Sequence, residues 1–267
     1  MTGDNSDLPP APIRAGDGLA GLKRFTPARI GLGRPGAALP TGDALKFGRD
    51  HARARDAVHV PLDFDALEAE LAKAELDAPG LASIRVHSAA RDRTEYLRRP
   101  DLGRRLSPDS RAQLQSTDAS ADIVLVAADG LSSRAVADNG PPLVARLVPL
   151  LRERGHSLGP IVLVAQGRVA IGDEIGEVLG ARLVVMLIGE RPGLSAADSL
   201  GAYLTFAPHV GCSDSMRNCI SNIRAAGLSV ADAATEIGAL ADAALAHQLT
   251  GVTLNRALTA ARQIGGS

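Results

Sequence analysis

Tryptophan is absent, and only four phenylalanines and two tyrosines occur in 267 residues. That scarcity argues against the aromatic platforms on which single-stranded nucleic acids stack, and it leaves Val, Leu, Ile and Ala to pack the core. Lysine is nearly missing too: Lys23, Lys46 and Lys73 stand against many arginines, and the formal net charge is −1. No long-range field therefore marks the chain as a binder of nucleic acid or of an anionic membrane. Arginine's planar fork suits carboxylates, phosphates and protein interfaces, although codon bias toward arginine and alanine accounts for the same composition without any function. The only cysteines are Cys212 and Cys219, with no histidine pair near them. Structural zinc takes four ligands, so no metal site is expected, and such sparse cysteine fits a reducing cytoplasm. No segment approaches the ~20 apolar residues of a membrane span, and Met1 to Pro10 contain no apolar run of the kind a secretory signal needs. A soluble, cytoplasmic chain is expected, with neither nucleic acid nor membrane as partner.

What is present is an apolar content of 45%, enough to bury a sizeable core in one large domain or two small ones. Residues 1–25, rich in Pro, Gly and Asp, read as a flexible tail. From 26 to 120 the pattern is mainly helical and charged. Thr41 can cap a helix running through Phe47 and His51 toward Val58, and Asp63 can cap a second with Phe64, Leu67 and Leu71 on one face. Ser83 to Ser88 alternates like a short strand.

From residue 121 the pattern changes to short apolar runs separated by helical segments. Ile123–Ala127, Ile161–Ala165 and Leu183–Ile188 read as buried strands, and Tyr203–Phe206 as a fourth. Pro141 and Pro142 are expected to open a helix that Gly155 stops, another runs from about Ile171 to Leu179, and Ser229 caps a long alanine-rich helix closed by Gly251. Strands alternating with helices predict an α/β fold, a Rossmann-like mostly parallel sheet flanked by helices over 121–267, preceded by a small helical domain. Polar turns at the strand ends, at Gln166–Val169 and Gly189–Leu194, are where such sheets hold ligands.

The short motifs weaken under inspection. Gly31, Gly33 and Gly36 match the dinucleotide fingerprint, with Asp56 at a suitable distance, but no apolar strand precedes them and Pro35 and Pro40 interrupt the helix that should follow. A glycine-rich loop docking on a neighbour is the better reading. Gly130, Ser132 and Ser133 resemble half a nucleophile elbow, with Arg134 where the closing glycine belongs; a helix N-terminus is the expected role. The histidines are scattered without metal spacing. The arginines from Arg91 to Arg111, interleaved with Asp92, Glu95, Asp101 and Asp109, read either as a solvated ion-pair face or as a protein interface. Residues 208–224, with Cys219, form a polar segment in which Cys219 is either a small buried hydrophobe or part of a site at the same sheet end.

Three blocks carry a wider resemblance: Gln166-Gly-Arg-Val-Ala-Ile-Gly-Asp-Glu-Ile-Gly176, Leu187-Ile-Gly-Glu-Arg-Pro-Gly-Leu194 and Asn218-Cys-Ile-Ser-Asn-Ile223. With Thr26–Arg34, His51–His59, Arg99–Arg104 and Ala128–Ser132 in the same order, the chain resembles the small subunit of ethanolamine ammonia-lyase over about residues 26 to 260. The resemblance implies a carbon–nitrogen lyase that uses adenosylcobalamin to turn ethanolamine into acetaldehyde and ammonia by a radical route. It implies a large-subunit partner in a hetero-oligomer with several copies of each chain, the cofactor lying between them and carrying the difficult chemistry. It implies cofactor contacts at Val169, Glu190 and Cys219. Val169 would offer backbone groups and a small wall, Glu190 an acceptor for the amide arms of the corrin or for its nucleotide loop, and Cys219 a compact contact. No catalytic residue is expected here. The chain also lacks an Asp-x-His-x-x-Gly segment, in keeping with a cofactor that keeps its own base on cobalt. The expected location is the cytoplasm, with a bacterial microcompartment as a narrower expectation. The rival readings are a nucleotide-binding Rossmann module using Gly31, Gly33 and Gly36, and a non-catalytic assembly subunit that binds nothing.

Overall fold

The computed structural model describes residues 20–26, 28–30, 32, 38–74, 81–117 and 120–265. The tail expected over 1–25 lies mostly outside these residues, as do Gly31, Gly33 and Gly36, so the fingerprint is not described.

Ahead of the sheet run α1 (Thr41–His59) and α2 (Phe64–Ala74), followed by strand β1 (Ser83–His87) and helices α3 (Arg93–Arg98) and α4 (Pro108–Gln115). Then come β2 (Ile123–Ala128), α5 (Ser133–Glu153), β3 (Leu158–Ala165), α6 (Ile171–Leu179) and β4 (Leu183–Gly189). The chain continues through β5 (Leu200–Phe206), β6 (Asn218–Ile223), α7 (Val230–His247) and α8 (Gly251–Gly265). The six strands form one sheet in the order β1-β3-β2-β4-β5-β6. The first four are mutually parallel, and β5 and β6 add on antiparallel. The α/β, mostly parallel expectation holds, with β1 supplied by the 26–120 segment.

Every residue of β2 and β4 is buried, which is why both read as unbroken apolar runs. Successive side chains point to opposite faces. Ile123, Leu125 and Ala127 pack with α5 and α7, whereas Val124, Val126 and Ala128 pack with α6. The loops leaving β2 and β3 thus diverge to opposite faces of the sheet. That divergence makes a topological switch point at their C-terminal ends.

Four features differ from expectation. Helix α5 does not open at Pro141: it starts eight residues earlier, where the Ser132 hydroxyl accepts from the Ala135 N–H at 3.2 Å. Pro141 and Pro142 stay inside it because the carbonyls they orphan, four residues back, belong to Ala137 and Asp138 on the exposed side, where water can satisfy them. Gly251 does not close α7. Gln248 does so in a left-handed conformation, and Gly251 begins α8 at φ +71°, where a Cβ would collide with the Ser215 carbonyl. The 208–224 segment contains a strand, β6. Thr41, finally, is the first residue of α1 and caps nothing, since the N-cap is Pro40.

Helix α1 rests lightly on the body, with Ala57 its one buried residue. Its far end is tied down, the Val58 carbonyl accepting from Arg93 at 2.6 Å and the Val60 carbonyl from Ser133 at 2.6 Å. Gly48, in its middle, has nothing within 4 Å of where a Cβ would stand. Gly48→Ala should therefore stabilise the helix by about 1 kcal/mol, since only backbone entropy changes. Amide hydrogen exchange across 41–59 checks this, and unchanged protection would contradict it. No helix among the described residues is long and apolar enough to cross a membrane.

Candidate functional site

Three strand ends build the site. After β2 the chain turns at Asp129 and Gly130, the latter at φ +56°, where a side chain would also strike the Gly189 carbonyl. After β3 it turns through Gln166, at φ +59°, and Gly167, packed on Ala128 and Val164 so closely that a Cβ would come within 2.9 Å and 3.0 Å of them. After β4, Gly189 leads into Glu190.

The switch-point crevice itself is filled from within. Arg93 of α3 donates from Nη1 to the Gly130 carbonyl at 2.8 Å, Asp129 Oδ2 at 3.2 Å and Gln166 Oε1 at 3.3 Å. Asp129 Oδ1 accepts from the Gly167 N–H at 3.1 Å. Burial pushes the Asp129 carboxyl up to about 6, against the pull of Arg93 and of neighbouring backbone N–H groups. Tyr96, one helical turn beyond Arg93, donates to the Gly167 carbonyl at 2.9 Å, and the guanidinium groups of Arg93 and Arg168 stack on its ring at 4.8 Å and 4.3 Å. Burial holds its hydroxyl well above the usual tyrosine range.

With that crevice closed, the open space lies beside it. A cleft of about 430 Å³ is lined by Tyr96, Gly130, Arg168, Val169, Glu190 and Tyr203, among others. Glu190 is held as a wall: its Oε2 accepts from Ser199 Oγ at 2.5 Å and from the Asn222 N–H at 3.2 Å. Among the described residues its Oε1 accepts no hydrogen bond, and it lies so close to Gly201 that a Cβ there would approach to 3.0 Å. An unused carboxylate oxygen on a cleft wall is an acceptor for a ligand's N–H.

The sequence model described as ethanolamine ammonia-lyase light chain matches residues 16–255. The chain belongs to the ethanolamine ammonia-lyase light chain family. A protein named ethanolamine ammonia-lyase small subunit from Ralstonia nicotianae is 52% identical over 95% of this chain and 93% of its own length. Relatives of the same name from Rhodopseudomonas palustris and Azotobacter vinelandii are each 52% identical, covering 92% and 91% of this chain and 95% and 90% of their own.

Val169 and Glu190 line one cleft. Cys219 lies one strand further, in register with Tyr203, which lines the cleft. Cys219 is exposed and Cys212 is the buried cysteine, so the reading of Cys219 as a small buried hydrophobe does not hold. The packing about its sulfur still raises the thiol's pKa, with the Tyr203 hydroxyl pulling the other way. Arg93, Tyr96, Arg168 and Tyr203 were not among the expected site residues. For Arg168 the signal is its place in the Gln166–Val169 turn, and for the tyrosines it is their scarcity, since both tyrosines of the chain line this cleft. Ser132, for its part, caps α5 and donates to the Ala197 carbonyl at 2.7 Å, a structural role. Among the described residues no three His, Cys, Asp or Glu side chains gather as metal ligands.

Proposed function

We propose that this chain is the cofactor-covering half of an ethanolamine ammonia-lyase, active with a large subunit and holding adenosylcobalamin at the boundary between the two. The carrying observation is the cleft wall made by Glu190 and Val169, with its unused carboxylate oxygen. Glu190 Oε1 would accept N–H from the amide arms of the corrin, Val169 would present backbone groups and a small apolar contact, and Cys219 would leave room at the sheet edge. A cleft of about 430 Å³ suits a drug-sized ligand. A cobalamin is larger, so only its edge is accommodated and the rest falls to the partner. The bound cofactor supplies homolysis of its cobalt–carbon bond. This chain's part is to bind, orient and exclude water, and none of the cleft residues is assigned as acid, base or nucleophile.

Titration of the complex reconstituted with the large subunit, followed by visible absorbance, tests this. Glu190→Ala should weaken adenosylcobalamin binding about tenfold, the loss of a hydrogen bond to a charged acceptor, with the fold retained by circular dichroism. Unchanged affinity, or equal affinity and ethanolamine turnover by the large subunit alone, would leave a non-catalytic assembly subunit as the better reading.

A further inference from the structure

The cleft shares Arg168 and Val169 with a second hollow, of about 460 Å³, lined also by Arg104, Cys212, Asp214 and Arg217. Its Val169 and Ala170 wall is the entry to α6, where the N–H groups of Ile171, Gly172 and Asp173 already donate to the carbonyls of Arg168, Val169 and Ala170 at 3.0, 3.1 and 3.3 Å, so the helix brings its dipole and no free donor. That dipole favours an anion, unless carboxylates of the first turn already neutralise it. Here both are taken. Arg217 holds Asp173 through two bonds, at 3.1 Å and 2.7 Å, and Glu174 accepts from Arg111 at 2.6 Å and from the Leu106 N–H at 2.8 Å.

Two cations then stand over. Among the described residues neither Arg104 nor Arg168 has a carboxylate partner. Arg168 is aligned by stacking on Tyr96. The Arg217 side chain is only 3% exposed, and among the described residues its Nε makes no hydrogen bond; nor does Arg168 Nε. An unpartnered buried guanidinium nitrogen is costly unless something accepts from it. Asp214 does not: its fully exposed carboxylate stands 3.6 Å away at the rim.

We propose that this hollow is an oxyanion site for a phosphodiester. Resting on the corrinoid reading above, its occupant is the phosphodiester of the cofactor's nucleotide loop. The two hollows are complementary in charge to such a molecule: the Glu190 wall offers an acceptor to amide N–H groups, and across Val169 the Arg104–Arg168 side offers donors to one anion. Arginine's fork suits that anion.

The test compares adenosylcobalamin with adenosylcobinamide, the same corrinoid lacking the nucleotide loop, on the complex with the large subunit, read by absorbance titration. Arg104 is exposed, so Arg104→Gln leaves the fold intact. It should weaken adenosylcobalamin binding about tenfold and leave adenosylcobinamide binding unchanged, with Arg104→Lys recovering part of the loss. Equal effects on both ligands, or none on either, would overturn the proposal. Binding of inorganic phosphate that Arg104→Gln abolishes, without any difference between the corrinoids, would make the occupant a free anion and overturn the assignment to the loop. A wild-type complex that binds neither corrinoid refutes the corrinoid reading itself, a result distinct from the others, and takes this proposal with it.

Discussion

Replacing Arg217 with methionine is expected to destabilise the folded chain by about 3–5 kcal/mol at pH 8, because it strands the buried Asp173 carboxylate without its partner. Both side chains are at most 4% exposed, and Arg217 also donates to the Cys212 carbonyl at 2.9 Å. Burial pushes the Asp173 carboxyl up to about 6 from its ordinary 3.8, with Arg217 pulling against that rise. A folded-state value above the unfolded one contributes stability that is full below about pH 4 and is lost as pH climbs through the folded value. Removing Arg217 lifts the folded value further, so the mutant accepts its proton at higher pH than the wild type does. The gap between the two proteins should therefore be widest at pH 8 and narrow toward pH 5. Asp129 titrates similarly in both and drops out of the difference. Urea unfolding at the two pH values measures it, and Asp173→Asn added to Arg217→Met should recover most of the loss at pH 8. A deficit independent of pH would trace the damage to lost packing and refute the stranded charge.

The central strands were legible because burial on both faces leaves them no polar positions: Val124 to Ala127 and Val184 to Ile188 announce themselves. Strand β6 was not. It lies at the sheet edge, alternates Cys219, Ser221 and Asn222 with Ile220 and Ile223, and places Asn222 at φ +60°, so its composition is that of a loop. Its strand character comes from register with β5, a tertiary fact. The start of α5 was obscured by Pro141 and Pro142, whose local signal is outweighed by the Ser132 cap and by the buried face of Leu143, Val144, Leu147 and Leu151.

Half of the candidate site was equally readable. Glu190 and the Gln166–Val169 turn sit where parallel strands end, and order along the chain suffices to find them. Arg93 and Tyr96 come from a separate helix and reach partners 36 to 73 residues away, a distance no local pattern encodes. The arginine-dense segment divides accordingly. Arg91 and Arg99 form exposed pairs with Glu95 and Asp101, the solvated face that was one of its two readings. Arg93 and Arg111 are instead built into the body. Spacing alone could not sort them, because all lie in the same charged run.

Gly189→Ala is expected to cost about 3 kcal/mol or more, at or above the upper end for overpacking. Gly189 has no unusual φ; what it lacks is room. A Cβ there would fall 2.0 Å from the Ser132 carbonyl oxygen and 2.6 Å from that of Asp129. Both are backbone atoms of the turn between β2 and α5, and that turn is fixed in three ways. Leu131 donates to the Gly189 carbonyl at 2.9 Å, Ser132 caps α5, and Arg93 grips Asp129 and Gly130. Relief therefore requires β4 to part from β2 at the cleft floor, moving Glu190 with it. Thermal unfolding should show a large drop in midpoint, whereas Gly48→Ala in exposed α1 shows none. At temperatures where the mutant stays folded, its corrinoid affinity in the complex should fall together with that of Glu190→Ala, since both act on one wall. A Gly189→Ala protein of wild-type stability would mean that β4 does not seat against the β2–α5 turn, and the cleft as described would not exist.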